Sequence, residues 1–225
     1  HFPATKDAAE RIKRMGEDGW RIQVVGAPAL DTILGSTLPS KDEVSSFIGI
    51  PASDKFILLL QHPGEDFESA GKEMEETLSA LRKIALPVVA VYPNADAGSE
   101  KIIEALETER TSPLFKIFKN IPYTMFLALE RATAVWAGNS SAAIIESASF
   151  KTPVVNIGER QKGRFGGKNV ITTPHNKTSI AAAIEMALYD TSYSGTLKTV
   201  VNPWGDGKTG PRVAKILEEL VIDAR

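Results

Sequence analysis

Apolar and polar positions fall in blocks along this chain. From about Lys55 onward, short runs that are apolar throughout alternate with longer stretches whose apolar residues recur three and four apart. The runs "KFILLL" (55–60), "PVVAVYP" (87–93), "LFKIFKN" (114–120), "ATAVWAG" (132–138), "PVVNIG" (153–158) and "NVITT" (169–173) predict strands. Between and after them the spacing predicts helices over 68–83, 100–106, 123–131, 141–149 and 179–188, the first with Met74, Leu78 and Leu81 on one face. Strands without an outward polar alternation are those covered on both sides, and their succession with helices predicts βαβ units. The expected fold is α/β, a Rossmann-like doubly wound parallel sheet.

The flanks follow a different pattern. Ala8, Ala9, Ile12 and Met15 recur at helical spacing, and residues 22–25 read as a short buried strand. A helix and a strand with nothing before them look like the tail of a domain whose body is missing, so 1–34 is expected to end another Rossmann-like domain. Residues 35–54 read as a connector with one short helix capped by Ser40, and 55–208 as the main nucleotide-binding domain. Residues 209–225 read as a helix that begins near Pro211 and returns to the preceding domain.

Composition narrows the function. The 225 residues are 43% hydrophobic and 24% charged, with a net charge of −2, so no basic field draws the chain to nucleic acid or to a membrane. There is no cysteine, which removes thiolate nucleophiles and cysteine metal sites and fits a reducing cytoplasm. The three histidines (His1, His62 and His175) are far apart, which argues against a histidine metal site. Neither GxGxxG nor a Walker A sequence occurs, so dinucleotide and P-loop binding are disfavoured, and no cofactor is expected.

In open parallel sheets, ligands bind beyond the carboxyl ends of the strands. The loops predicted there are chemically loaded: Gln61-His62-Pro63, "NADAGS" with Asn94 and Asp96, Gly138-Asn139-Ser140-Ser141, and the basic loop with Arg160, Lys162 and Arg164. A helix starting at Ser141 would offer free backbone N–H groups to a phosphate, and small residues at Ser140, Ser141, Ala142 and Ala143 would let it approach. Glu146 is placed to accept from paired sugar hydroxyls, and the basic loop to neutralise a diphosphate. Each feature alone has a plainer reading: an N-cap, a solvated glutamate, a solvated turn, a loop histidine. Their convergence on one sheet edge favours a site.

At these loops the sequence resembles the UDP-N-acetylglucosamine 2-epimerases, most closely the hydrolysing type that supplies N-acetylmannosamine for sialic-acid-like sugars. The matching stretches are "HFPATKDAAERI", "VVGAPALDTI", "QHP", "YPNADAGS", "GNSSAAIIESASFKTPVVNIGERQKGR" and "NPWGDGK", in order over nearly the whole chain. The resemblance implies the second half of a glycosyltransferase-B-like two-domain enzyme, with a further domain of on the order of 100–150 residues or more upstream. It implies that Ser140 and Ser141 hold the diphosphate of a nucleotide sugar, UDP-GlcNAc or its product UDP, and that Glu146 holds the ribose. Arg160 would contact the phosphates, and His62 the β-phosphate or reacting sugar, with Tyr123 or Phe126 lining the base. The principal acids and bases would lie in the other domain, leaving this chain inactive alone, and the full-length protein is expected to be a homodimer. Gly64-Glu65-Asp66 departs from the threonines often found after His-Pro in hydrolysing members, which puts a hydroxyl contact there in doubt. A non-hydrolysing 2-epimerase, a stand-alone nucleotide-binding module and a glycosyltransferase of the same fold remain open.

Overall fold

The computed structural model describes residues 1–220; the expected continuation of the last helix over 221–225 lies outside the described residues. Contacts divide the described residues into two compact units, one formed by 1–37 with 202–220 and the other by 38–201.

The first unit contains α1 (Lys6–Arg14), capped by Thr5, and α2 (Ala29–Gly35). The strand expected over 22–25 does not form. That segment is extended, but toward residues 1–3 it makes two backbone bonds, Gln23 N–H to the His1 carbonyl and Val25 N–H to the Pro3 carbonyl, too little for a ladder. The "VVGAPAL" and "NPWGDG" stretches meet here: Ala27 N–H donates to the Trp204 carbonyl at 2.7 Å. The Asp31 carboxylate accepts from the N–H groups of Thr209 (2.8 Å) and Gly210 (2.6 Å) at the head of the chain's last helix, Thr209–Glu218. Burial pushes the Asp31 carboxyl up, but the two backbone bonds, together with the Thr209 hydroxyl and the Arg212 charge, outweigh it and hold the group below its usual range.

The second unit begins with α3 (Lys41–Ile48). Its start is a capping box in which Ser40 and Glu43 satisfy each other's backbone N–H, and Gly49 ends it in the left-handed region at φ 67°. The sheet is then laid down as β1 (Ile57–Leu60), α4 (Ala70–Ile84), β2 (Val88–Val91), α5 (Ser99–Glu107) and β3 (Phe115–Phe118). The second half follows as α6 (Tyr123–Ala132), β4 (Val135–Gly138), α7 (Ser141–Ile145), α8 (Ser147–Phe150), β5 (Val154–Ile157) and β6 (Val170–Thr173). After it come α9 (Lys177–Tyr189) and α10 (Thr191–Thr199), and the last helix of the first unit is α11.

All six strands are parallel in the order β3-β2-β1-β4-β5-β6, the order of a doubly wound Rossmann sheet. Successive side chains enter opposite cores. Ile57, Leu59, Val135 and Ala137 pack with Met74, Leu78 and Ile184 on one face. Leu58, Leu60 and Trp136 pack with Val44, Ile48 and Leu129 on the other. Each such side chain contributes roughly 1.5–3 kcal/mol by leaving water. The outer strands are less apolar, with Lys116 in β3 and two threonines ending β6.

Two differences from the expected elements bear on the site. The single helix expected over 141–149 is broken at Glu146 (φ −102°, ψ −41°) into α7 and α8. The Ser147 hydroxyl donates back to the Ala143 carbonyl, a bond that bends helices. Helix α10 was not expected at all, because Thr, Ser, Tyr and Gly dominate it and only Tyr193 is buried.

Candidate functional site

The strand order reverses between β1 and β4, so the crevice of the sheet opens where their carboxyl ends separate. Gly138 closes β4 at φ +130°, and a Cβ there would overlap the Leu60 carbonyl. Glycine therefore lets the two strand ends run side by side before their loops diverge.

Asn139, fully buried, joins those loops. Its side-chain oxygen accepts from His62 N–H at 2.7 Å, and its side-chain nitrogen donates to the His62 carbonyl at 2.9 Å. An amide matched to both backbone groups of one residue fixes the entry of the β1 loop. The Asn139 carbonyl accepts in turn from Gln161 Nε2 (2.8 Å) and Arg160 Nη1 (3.2 Å), which ties in the loop after β5. The β2 loop arrives through Asn94, whose N–H donates to His62 Nδ1 at 3.3 Å. Four loops thus converge on one residue pair, His62 and Asn139.

That geometry sets the imidazole. Nδ1 is the acceptor, so Nε2 carries the proton. Burial and the nearby Arg160 guanidinium pull His62 down to about 4, against the upward pull of Asp96, whose Oδ2 lies 3.9 Å from Nδ1. At neutral pH the ring is an uncharged N–H donor. Arg160 Nη2 is 3.7 Å from Asp96 Oδ2, so Asp96 lies between the cation and the imidazole.

Of the residues singled out from the sequence, His62, Asn94, Asp96 and Arg160 are brought together in this network. Ser140 begins α7, with its hydroxyl accepting from Ala142 N–H at 3.3 Å, and Ser141 is the first helical residue. Glu146 sits half-buried at the break after α7: desolvation raises its carboxyl to about 7, partly opposed by its hydrogen bond with Glu130. Tyr123 heads α6, half exposed, and its phenol is raised first by burial and then by the charge of Glu146. Phe126 does not stand free beside it; its ring packs edge-on against Trp136 with centroids 5.7 Å apart.

Sequence reasoning missed three participants. Asn139 was read only as part of a turn, because its two bonds to His62 join residues 77 positions apart. Glu130 looked like one polar residue in an amphipathic helix, yet it is fully buried. His175, to which sequence reasoning assigned no role, lies with its Nε2 3.5 Å from Glu73 Oε2, and a Cβ on Gly158 (φ +79°) would overlap its ring. With Gly64, Glu65, Arg160 and Lys162, those two line a cavity of 390 Å³ beside the network. Asp66, one of the acids after His62-Pro63, is engaged locally: its carboxylate accepts from Glu68 N–H at 3.1 Å.

The architecture is an α/β domain with a six-stranded parallel sheet that matches part of glycosyltransferase-B-like epimerase and glycosyltransferase structures. The chain belongs to the UDP-N-acetylglucosamine 2-epimerase family, whose model matches residues 1–218. It is 32% identical over 187 residues to a UDP-N-acetylglucosamine 2-epimerase of Neisseria meningitidis, covering 83% of this chain and 49% of that protein. It is 30% identical over 226 residues to a UDP-N,N'-diacetylbacillosamine 2-epimerase (hydrolyzing) of Legionella pneumophila, covering 100% of this chain and 59% of the relative. Among solved structures it is similar to a UDP-GlcNAc 2-epimerase from Neisseria meningitidis bound to UDP-GlcNAc, with TM-score 0.81 at 16% identity, over 98% of this chain and 61% of that one. The chain thus spans about half to three-fifths of the length of these relatives.

Proposed function

We propose that this chain is the nucleotide-sugar-binding part of a hydrolysing UDP-N-acetylglucosamine 2-epimerase. The observation that carries the reading is the junction of the β1, β2, β4 and β5 loops at His62 and Asn139, at the switch point of the sheet. Ser140 and Ser141 offer hydroxyls and backbone N–H groups to the diphosphate, and Arg160 neutralises it. Neutral His62 donates from Nε2 to the β-phosphate or the reacting sugar. Asn94 and Asp96 hold the imidazole and the guanidinium in place. Glu146 accepts from the ribose hydroxyls, and Tyr123 is the exposed ring available to the base.

The reaction in this reading is loss of the C2 proton and cleavage of the bond from C1 to the diphosphate oxygen, giving UDP and a glycal. Water then adds across the double bond, hydroxyl to C1 and proton to C2 from the opposite face, giving N-acetylmannosamine. This chain's groups stabilise negative charge on the departing diphosphate, the role to which a cation and fixed N–H donors are suited. The groups that move the C2 proton belong to the part of the protein outside this chain, and the complete enzyme is a cytoplasmic homodimer that needs no cofactor.

Calorimetric titration with UDP and with GDP tests the site. UDP binds saturably, and Arg160→Ala weakens it at least ten-fold; no binding of either nucleotide into the millimolar range refutes the assignment. Product analysis with the complete protein separates the alternatives: N-acetylmannosamine with free UDP supports the hydrolysing type, and UDP-N-acetylmannosamine the non-hydrolysing one.

A further inference from the structure

Glu130 is a buried carboxyl for which the reading above has no use. It projects from α6 with no exposed surface, and taken as carboxylate acceptors neither of its oxygens has a hydrogen-bond donor. The buried Trp136 Nε1 on β4 is itself without an acceptor, so it does not supply one. The ionisable neighbour that acts on Glu130 is Glu146, whose carboxyl is within hydrogen-bonding reach, a contact that two carboxyls can use as a bond only when one of them is protonated. Among the described residues, the helices α3 and α8 packed on α6 bring no compensating charge. On α3, Lys41, Asp42 and Glu43 are exposed, and after α8 the Lys151 ammonium donates to the Lys198 carbonyl. Tyr123 and Arg131 lie on α6 itself, and Arg131 donates to the Pro39 carbonyl. An ionised Glu130 would be a bare charge in the interior beside a like charge.

We propose that Glu130 is a positioning residue for Glu146: the two carboxyls share one proton, Glu130 keeps it, and its O–H orients the Glu146 carboxylate to accept the ribose hydroxyls of a nucleoside diphosphate. This rests on the assignment of Glu146 to the ribose. The pair solves a problem that the broken helix creates. Glu146 sits at the gap between α7 and α8, and a donor from α6 holds its carboxylate in place there.

The sign of the pH effect follows. Burial raises Glu146 to about 7 and the bond from Glu130 lowers it, so deleting the donor raises it further. The ribose-competent carboxylate is therefore present at pH 8 and largely protonated at pH 6, a change of about ten-fold in its population for a midpoint near 7.

The test compares UDP with 2′,3′-dideoxy-UDP, so that titration of the phosphate cancels. In the unsubstituted chain the preference for UDP shrinks several-fold from pH 8 to pH 6. Glu130→Leu, which removes two oxygens that have no donor, weakens that preference at pH 7.5 and moves its midpoint up by about one pH unit. Glu130→Gln keeps an N–H donor and restores the original profile, a rescue that a purely structural role would not give. Carboxyl carbon NMR of the ligand-free chain reads the pair directly: the Glu146 midpoint rises in Glu130→Leu and not in Glu130→Gln. An unchanged Glu146 midpoint and UDP profile in Glu130→Leu overturn the proposal. If Glu146→Gln binds UDP as well as the unsubstituted chain does, the ribose assignment itself fails and the positioning role goes with it. If Glu146→Gln loses the preference while Glu130→Leu keeps it, only the role of Glu130 is wrong.

Discussion

Replacing Asn139 by leucine removes the amide that holds His62 while keeping the branching of the side chain; leucine is the bulkier of the two, so no cavity is left and any overpacking adds to the cost. Two hydrogen bonds are lost, at 2.7 and 2.9 Å, and the His62 N–H and carbonyl are left in a site where Asn139 is fully buried. A buried backbone group deprived of its partner costs about 1–3 kcal/mol, so the pair sums to about 2–6 kcal/mol. That is a large share of a typical domain stability of about 5–15 kcal/mol. Urea unfolding followed by tryptophan fluorescence measures it, and a loss below about 1 kcal/mol would refute the clamp. Asn139→Asp sharpens the test. As a neutral acid, aspartate can accept from His62 N–H and donate to the His62 carbonyl; ionised, it faces that carbonyl with a negative charge. Its folded-state value must then lie above its unfolded one, so the unfolded chain releases the proton first. Relative to the unsubstituted chain, the variant loses stability as pH rises above about 4, until its folded-state value is passed. A deficit that is smaller at pH 8 than at pH 5 would contradict this.

Two further outcomes follow from the same junction. Gly138→Ala places a Cβ against the Leu60 carbonyl at a backbone angle that alanine rarely adopts, so it is expected to cost several kcal/mol or abolish soluble expression; a thermal midpoint within a few degrees of the original would show that the strand ends have room to part. His62, held down to about 4 by burial and Arg160, should show no titration between pH 6 and 8 in the Cε1 proton shift, and a midpoint near 6.5 would contradict the buried neutral ring. Because its folded value lies below its unfolded one, the unfolded state binds more protons between pH 4 and 6.5. Stability therefore rises with pH across that window, by an amount on the order of 2–3 kcal/mol that His62→Gln should remove.

The sequence by itself determined the doubly wound sheet. Runs such as 57–60 and 135–138 are apolar on both faces, and only a sheet covered on both sides satisfies that pattern. The helix at 70–84 follows equally from the spacing of Met74, Leu78 and Leu81, and the one at 41–48 from Ser40 as its cap. The loops holding His62, Asn94, Asp96, Ser140 and Arg160 were legible because the carboxyl ends of parallel strands share one edge.

What the tertiary structure decided are relations between distant residues. The strand order that opens the crevice between β1 and β4 leaves no local mark, and neither does the bond from Asn139 to His62. The break at Glu146 goes with Ser147 finding the Ala143 carbonyl, a side-chain bond that spacing does not show, so helical spacing alone predicted one unbroken helix. Residues 22–25 are apolar enough for a strand, but a strand needs a ladder, and only two backbone bonds to residues 1–3 are available. Glu130 is the sharpest case. Its type and its place in an amphipathic helix favour solvent, and only the packing of α6 against α3 and α8 puts its carboxyl in the interior beside Glu146. Local pattern fixes which elements form because propensity and periodicity act over a few residues, whereas burial and charge at a site are set by neighbours far away in the chain.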